Sequence, residues 1–125
     1  MIVGTGIDLV EIGKLRAAME RRGDRLRNRI FTPGEICYCA QRPNPFQHYA
    51  ARFAAKEALF KAIRTGWSGG VGWRDAEVCN STSGKPDLLL SGKALEIARH
   101  LGATRYWVSL SHTDRYSVAQ VILED

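Results

Sequence analysis

Two carboxylates, three cations and a histidine are the residues here best suited to chemistry: Asp8, Glu57, Arg52, Lys56, Lys61 and His112. Two carboxylates without histidine ligands suit a hard, oxygen-preferring ion such as Mg²⁺. Such an ion is held by one or two carboxylates and completed by waters and substrate phosphates. Arginine and lysine beside it suit a phosphorylated substrate and the charge that develops on it. The glycine-rich stretch Thr65-Gly66-Trp67-Ser68-Gly69-Gly70-Val71-Gly72 adds backbone N–H groups of the kind that lie against phosphate, although it is not a Walker pattern. No Ser-His-Asp or Cys-His arrangement marks a nucleophile. The set reads as Mg²⁺-assisted phosphoryl-group chemistry.

Glu57, Arg52, Lys56 and Lys61 all belong to residues 50–63, a stretch without proline or glycine, rich in alanine and closed by Thr65-Gly66. It reads as a helix. Phe53 and Phe60 fall on one side, Ala54, Ala55, Ala58 and Ala62 on the other, with Leu59 and Ile63 between. A helix apolar nearly all round is buried, so its charges need partners, a ligand or an opening to solvent. Glu57 and Lys61 are one turn apart, and a plain surface pair worth about 0.2–0.5 kcal/mol is the simpler alternative.

Asp8 lies in residues 2–10, which read as a strand. Alternation puts Val3, Thr5, Ile7 and Leu9 on one face and Gly4, Gly6, Asp8 and Val10 on the other. Two glycines before Asp8 leave a floor that another backbone or a ligand can approach. The alternative is that Asp8 caps the helix that follows.

That next helix covers about residues 11–22, with Ile12, Leu15 and Met19 at helical spacing, and a short one carries Arg25, Leu26, Arg29 and Ile30 beyond Gly23. Thr32, Pro33 and Glu35 have the spacing of a capping box with proline at the first helical position, predicting a helix over 33–40. The prolines of Arg42-Pro43-Asn44-Pro45 predict a break without regular structure. Beyond the glycine-rich loop, residues 73–79 and 86–90 read as a hairpin, with a helix from a Ser91 cap to about Leu101. Residues 106–111 and 116–123 close the chain as a second hairpin. His112, flanked by Ser111 and Thr113 at its turn, is either an anion donor or simply solvated.

At 125 residues the chain is expected to form one domain, 1–125. Its net charge is +5, and the whole excess sits in residues 13–30, where seven bases (Lys14, Arg16, Arg21, Arg22, Arg25, Arg27, Arg29) face two acids (Glu20, Asp24). Such concentration predicts an acidic partner, protein or nucleic acid, approaching one surface, the alternative being a basic helix that is simply solvated. Three cysteines without zinc spacing indicate neither a disulfide framework nor a zinc site. The interrupted apolar runs and the strand-like start after Met1 predict no membrane span, no signal peptide and a cytoplasmic location.

Four blocks carry a resemblance: Gly4-Thr-Gly-Ile-Asp8-Leu-Val-Glu11-Ile, Arg29-Ile-Phe-Thr-Pro-Gly-Glu35-Ile-Cys-Tyr-Cys39, Ala51-Arg-Phe-Ala-Ala-Lys-Glu57-Ala-Leu-Phe-Lys61-Ala, and Ser109-Leu-Ser-His112-Thr. The chain resembles the small holo-acyl-carrier-protein synthases, bacterial 4′-phosphopantetheinyl transferases, over essentially its whole length. The resemblance implies an α+β fold, an antiparallel sheet packed on a central buried helix and flanking helices, assembling as a homotrimer with sites between subunits. It implies transfer of the phosphopantetheine arm of coenzyme A to a serine of acyl carrier protein, for fatty acid biosynthesis, releasing adenosine 3′,5′-bisphosphate. Asp8 and Glu57 would hold Mg²⁺ and act with Lys61 in catalysis. Arg52, Lys61, Gly66, Pro86, Ser111, His112 and Thr113 would bind coenzyme A, Arg52 and His112 taking phosphates that include the 3′-phosphate. Lys14, Arg21, Arg22 and Arg25 would dock the acidic carrier. One departure is Arg64, where the family often has glycine, and an arginine at this helix end predicts altered loop geometry.

Two readings of other classes compete. A basic module binding nucleic acid through residues 13–30 would need stacking aromatics, and only Phe31 is near. A binding protein without activity would have no use for Asp8, Glu57 and Lys61 together.

Overall fold

The computed structural model describes residues 1–66 and 68–125, so Trp67 of the glycine-rich loop lies outside the described residues. Strand β1 (Ile2–Glu11) pairs antiparallel with the last strand, β5 (Tyr116–Glu124), which pairs on its other side with β4 (Arg105–His112). Between β1 and the long helix come α1 (Ile12–Arg22), α2 (Asp24–Ile30) and α3 (Pro33–Ala40). Gly23, at φ 65°, separates the first two. The buried helix is α4 (Pro45–Ala62). A 3₁₀ turn (Trp73–Asp75), a hairpin of β2 (Ala76–Asn80) and β3 (Pro86–Leu90), and α5 (Gly92–His100) complete the chain before β4. The α+β architecture, an antiparallel sheet on a central helix, is as expected. No helix among the described residues is long and apolar enough to cross a membrane.

The glycine face of β1 explains how helix and sheet meet. A Cβ on Gly6 would run into the carbonyl of Ala58, and one on Gly4 into the carbonyl of Ala62. Strand and helix therefore touch backbone to backbone, with alanines 50, 54, 55, 58 and 62 buried along α4. The opposite face of β1 is open: Ile7 is 60 % and Leu9 61 % exposed, and Trp107 of β4, across β5, is exposed on the same face of the sheet. The hydrophobic side of this strand thus faces away from the core.

Thr32 and Glu35 form the expected capping box, with Thr32 N donating to Glu35 Oε1 at 3.0 Å and Glu35 N to Thr32 Oγ1 at 3.2 Å. Three details differ from the sequence reading. Pro45 opens α4 at its first turn, where a missing N–H costs nothing, so the helix begins five residues before Ala50. Residues 73–75 form a 3₁₀ turn rather than strand. Ser91 makes no side-chain cap for α5, and Asp75 accepts from Ala94 N instead, at 3.3 Å.

Candidate active site

Asp8, on the inward face of β1, and Glu57, on α4, line one cavity of about 510 Å³. Its apolar wall is built from Leu15 of α1, Leu26 and Ile30 of α2, and Phe53 and Trp73, whose rings stack with centroids 5.0 Å apart. Lys14, Arg21, Arg22 and Arg29 supply its basic lining. Lys61 Nζ donates to Asp8 Oδ1 at 2.9 Å and to the Ile7 carbonyl at 2.9 Å. Lys61 thus pairs with Asp8 across the helix–strand contact rather than with Glu57 one turn back.

Glu57 is half-buried on an apolar helix side. Burial pushes its carboxyl above the ordinary range, the negative charge of Asp8 pushes it further, and Lys61 partly offsets both. Two carboxylates in one pocket, one of them raising the cost of the other's charge, form a donor set that a divalent cation satisfies. The ammonium of Lys61 supplies part of that positive charge here. Among the described residues, no cluster of three or more His, Cys, Asp or Glu side chains forms a metal site, so protein oxygens would supply only part of a coordination shell. That pattern fits Mg²⁺, which keeps waters and substrate phosphates as ligands.

Lys56 does not join this site. Its ammonium and the Glu35 carboxylate form an ion pair of 2.7 Å with both side chains at 0 % exposure. It also donates to the carbonyls of Trp73 and Ala76, while Glu35 Oε2 accepts from Val78 N at 2.9 Å. Lys56 therefore ties α3, α4 and β2 together, and the expected cluster of three cations around the carboxylates reduces to Lys61.

Arg52, Pro86, Ser111 and His112 gather at a second cavity, of about 170 Å³, with Tyr38, His48 and Asn80. Arg52 is buried and donates to Asn80 Oδ1 at 2.6 Å. The two cavities share no lining residue. Asp8 and Leu110 both stand opposite Ala119 of the intervening strand, so roughly 10 Å of sheet separates their backbones.

Gly66 and Thr113 line neither cavity. Gly66, at φ 54°, ends the turn after α4, its N–H reaching Phe60 O at 3.2 Å. Thr113 Oγ1 accepts from Arg115 N and Tyr116 N, shaping the β4–β5 turn. Val71 and Gly72 of the glycine-rich loop border a further cavity of about 330 Å³ with Arg29 and Arg74. Arg64 takes φ 66°, the left-handed conformation that glycine favours, so the turn forms with the arginine in it. Arg25 lies with Arg22 and Arg29 around a basic hollow beside the main cavity.

The model of the 4′-phosphopantetheinyl transferase superfamily matches residues 4–121. The chain belongs to that superfamily. Among curated relatives of this superfamily member, holo-[acyl-carrier-protein] synthase of Koribacter versatilis is 51 % identical over 125 residues, covering all of both chains. The Solibacter usitatus protein of the same description is 52 % identical over 125 residues, again covering both chains in full. Among solved structures, holo-[acyl-carrier-protein] synthase of Neisseria meningitidis superposes with TM-score 0.90 at 31 % identity, covering 100 % of each chain. The Helicobacter pylori synthase, solved in complex with coenzyme A, gives TM-score 0.84 at 26 % identity over 96 % of this chain and 99 % of that one.

Sequence reasoning missed Tyr38, Arg42 and His48 near the second cavity. His48 and Arg52 are one turn apart on α4, a signal hidden by starting the helix at Ala50.

Proposed function

We propose that this superfamily member transfers the 4′-phosphopantetheine arm of coenzyme A to a serine of apo acyl carrier protein, the reaction by which holo carrier protein is made. The convergence of Asp8, Glu57 and Lys61 at one end of a cavity lined with cations carries the reading. The likeness over full length to proteins described as holo-[acyl-carrier-protein] synthases supports it.

Asp8 and Glu57 would hold Mg²⁺, which when bound would supply Lewis-acid stabilisation of the charge on the phosphoryl group under attack. Lys61, already within hydrogen-bond reach of Asp8, would donate to the transferred phosphate as its charge redistributes. The serine oxygen forms a bond to the β-phosphorus as its hydroxyl proton passes to solvent, the bond from that phosphorus to the bridging oxygen breaks, and adenosine 3′,5′-bisphosphate leaves. Phe53, Trp73 and the aliphatic wall exclude water that would otherwise compete with the serine. Lys14, Arg21, Arg22 and Arg25 surround the same opening, so an acidic carrier docked there presents its serine to the carboxylates.

Arg52 and His112 would hold the 3′-phosphate end of the coenzyme, Pro86 and Ser111 would border it, and Gly66 and Thr113 would contact it through their turns. A homotrimer, cytoplasmic, is part of the same reading: the open face of Ile7, Leu9 and Trp107 is apolar enough to seek a second copy, and closed symmetry would cover it. The test is to incubate the protein with apo carrier, coenzyme A and Mg²⁺ and weigh the carrier. A gain of one phosphopantetheine is expected, lost in Asp8→Ala and Glu57→Ala variants that remain folded. No mass gain on a competent carrier would overturn the reading.

A further inference from the structure

One guanidinium and two imidazoles line the second cavity, a second guanidinium stacks on its Tyr38 wall, and no acid is among the lining residues. Arg42 lies over the Tyr38 ring at 4.0 Å and Arg52 over the same ring at 4.1 Å. His48 meets that ring edge-on, with centroids 5.8 Å apart, and His112 lines the cavity from the end of β4. None of the ion pairs among the described residues involves Arg42 or Arg52. The Nε of Arg52 is buried without a hydrogen-bond partner. Buried donors left unmatched are costly, and acid-free cationic pockets of this kind call for an anion.

His48 adds a titratable imidazole to this group from α4, where its ring also packs edge-on against Tyr38. It is half-buried one turn before Arg52, and no hydrogen bond among the described residues engages its ring. Burial, then Arg52, Arg42 and His112, hold its imidazole below the usual 6.5. The groups that face it are thus Tyr38 of α3, Arg42 beyond α3, Arg52 of its own helix and His112 of β4.

We propose that His48 is a proton-coupled ligand of the phosphate monoester held in this cavity, taking up a proton from solvent as the dianion enters and donating it as a hydrogen bond. This rests on the reading that the chain takes coenzyme A with its 3′-phosphate beside Arg52. The anion cancels the field of the two arginines, so the imidazole binds its proton more tightly in the complex than in the free protein. Affinity that depends on a group whose proton affinity rises on binding is greatest at low pH and falls as pH rises through the bound-state value.

The test is calorimetric titration of the full-length protein with coenzyme A in two buffers of different ionisation enthalpy, from about pH 6 to 8. The unmodified protein should take up protons, and its affinity should fall by about five- to tenfold across the range. His48→Gln, and His48→Phe, which keeps a ring against Tyr38, should lose most of the uptake beyond what the phosphate itself contributes. Dephospho-coenzyme A, lacking the 3′-phosphate, should bind more weakly and with little uptake. Wild-type uptake and pH dependence in both His48 variants would overturn the role of His48 while leaving the site in place. Equal binding of dephospho-coenzyme A would remove the phosphate from this cavity, and no binding of coenzyme A at all would overturn the functional reading itself.

Discussion

Lys56 and Glu35 form an ion pair 2.7 Å long in which neither side chain reaches solvent. Every polar atom of the pair has a second task, Lys56 at the carbonyls of Trp73 and Ala76 and Glu35 at Thr32 N and Val78 N. Truncating one partner strands the other charge in the core. Lys56→Met should therefore cost about 3–5 kcal/mol of stability, read by chemical denaturation. The double variant Lys56→Met, Glu35→Leu should lose clearly less than the sum of the singles, and additive losses would contradict the coupling.

Arg64 has the opposite balance. Its φ of 66° strains a side-chain-bearing residue, and among the described residues its side chain makes a single, long hydrogen bond, 3.4 Å to Val3 O. Arg64→Gly should raise stability by about 0.5–1 kcal/mol, seen as an increase in Tm. A decrease would mean that the arginine holds the edge of β1 more firmly than its geometry indicates.

The carboxyl of Glu57 should titrate above its ordinary 4.5, because burial and the charge of Asp8 both favour the protonated form. The group must ionise to hold a cation, so apparent Mg²⁺ affinity should weaken as pH falls through that raised value. Carboxyl NMR without Mg²⁺ would report the midpoint, and Asp8→Asn should lower it. An unchanged midpoint in that variant would place the two carboxylates out of each other's reach.

Arg22 and Arg25 are exposed beside the opening of the main cavity. Reversing both to Glu should raise KM for the carrier protein, flatten its salt dependence and leave KM for coenzyme A unchanged. A change confined to coenzyme A would move the docking surface elsewhere.

The meeting of Asp8 with Glu57 was legible mainly through the family resemblance, since two glycines on one strand face say only that another backbone or a ligand can approach, and the structure makes that backbone α4. The capping box at Thr32 was legible from local spacing. What could not be read was direction on α4. A helix apolar on every side gives its charges no common outward face, so Lys56 and Lys61 looked alike although one lies in the core and the other at the site. Pro45 was misread for a related reason, since proline excludes a helix interior but suits a first turn. His48 followed from that error.

The roughly 10 Å of sheet between the two cavities has a genetic consequence. If the chain forms a trimer that joins the Asp8 cavity of one copy to the Arg52 cavity of the next, a lesion in either can be masked by a neighbour. Asp8→Ala and Arg52→Gln chains, each inactive alone, should complement when co-expressed, with roughly a quarter of the interfaces carrying both intact halves in a randomly assorted ring. Mixed assemblies as dead as their parents would locate the whole reaction within a single chain.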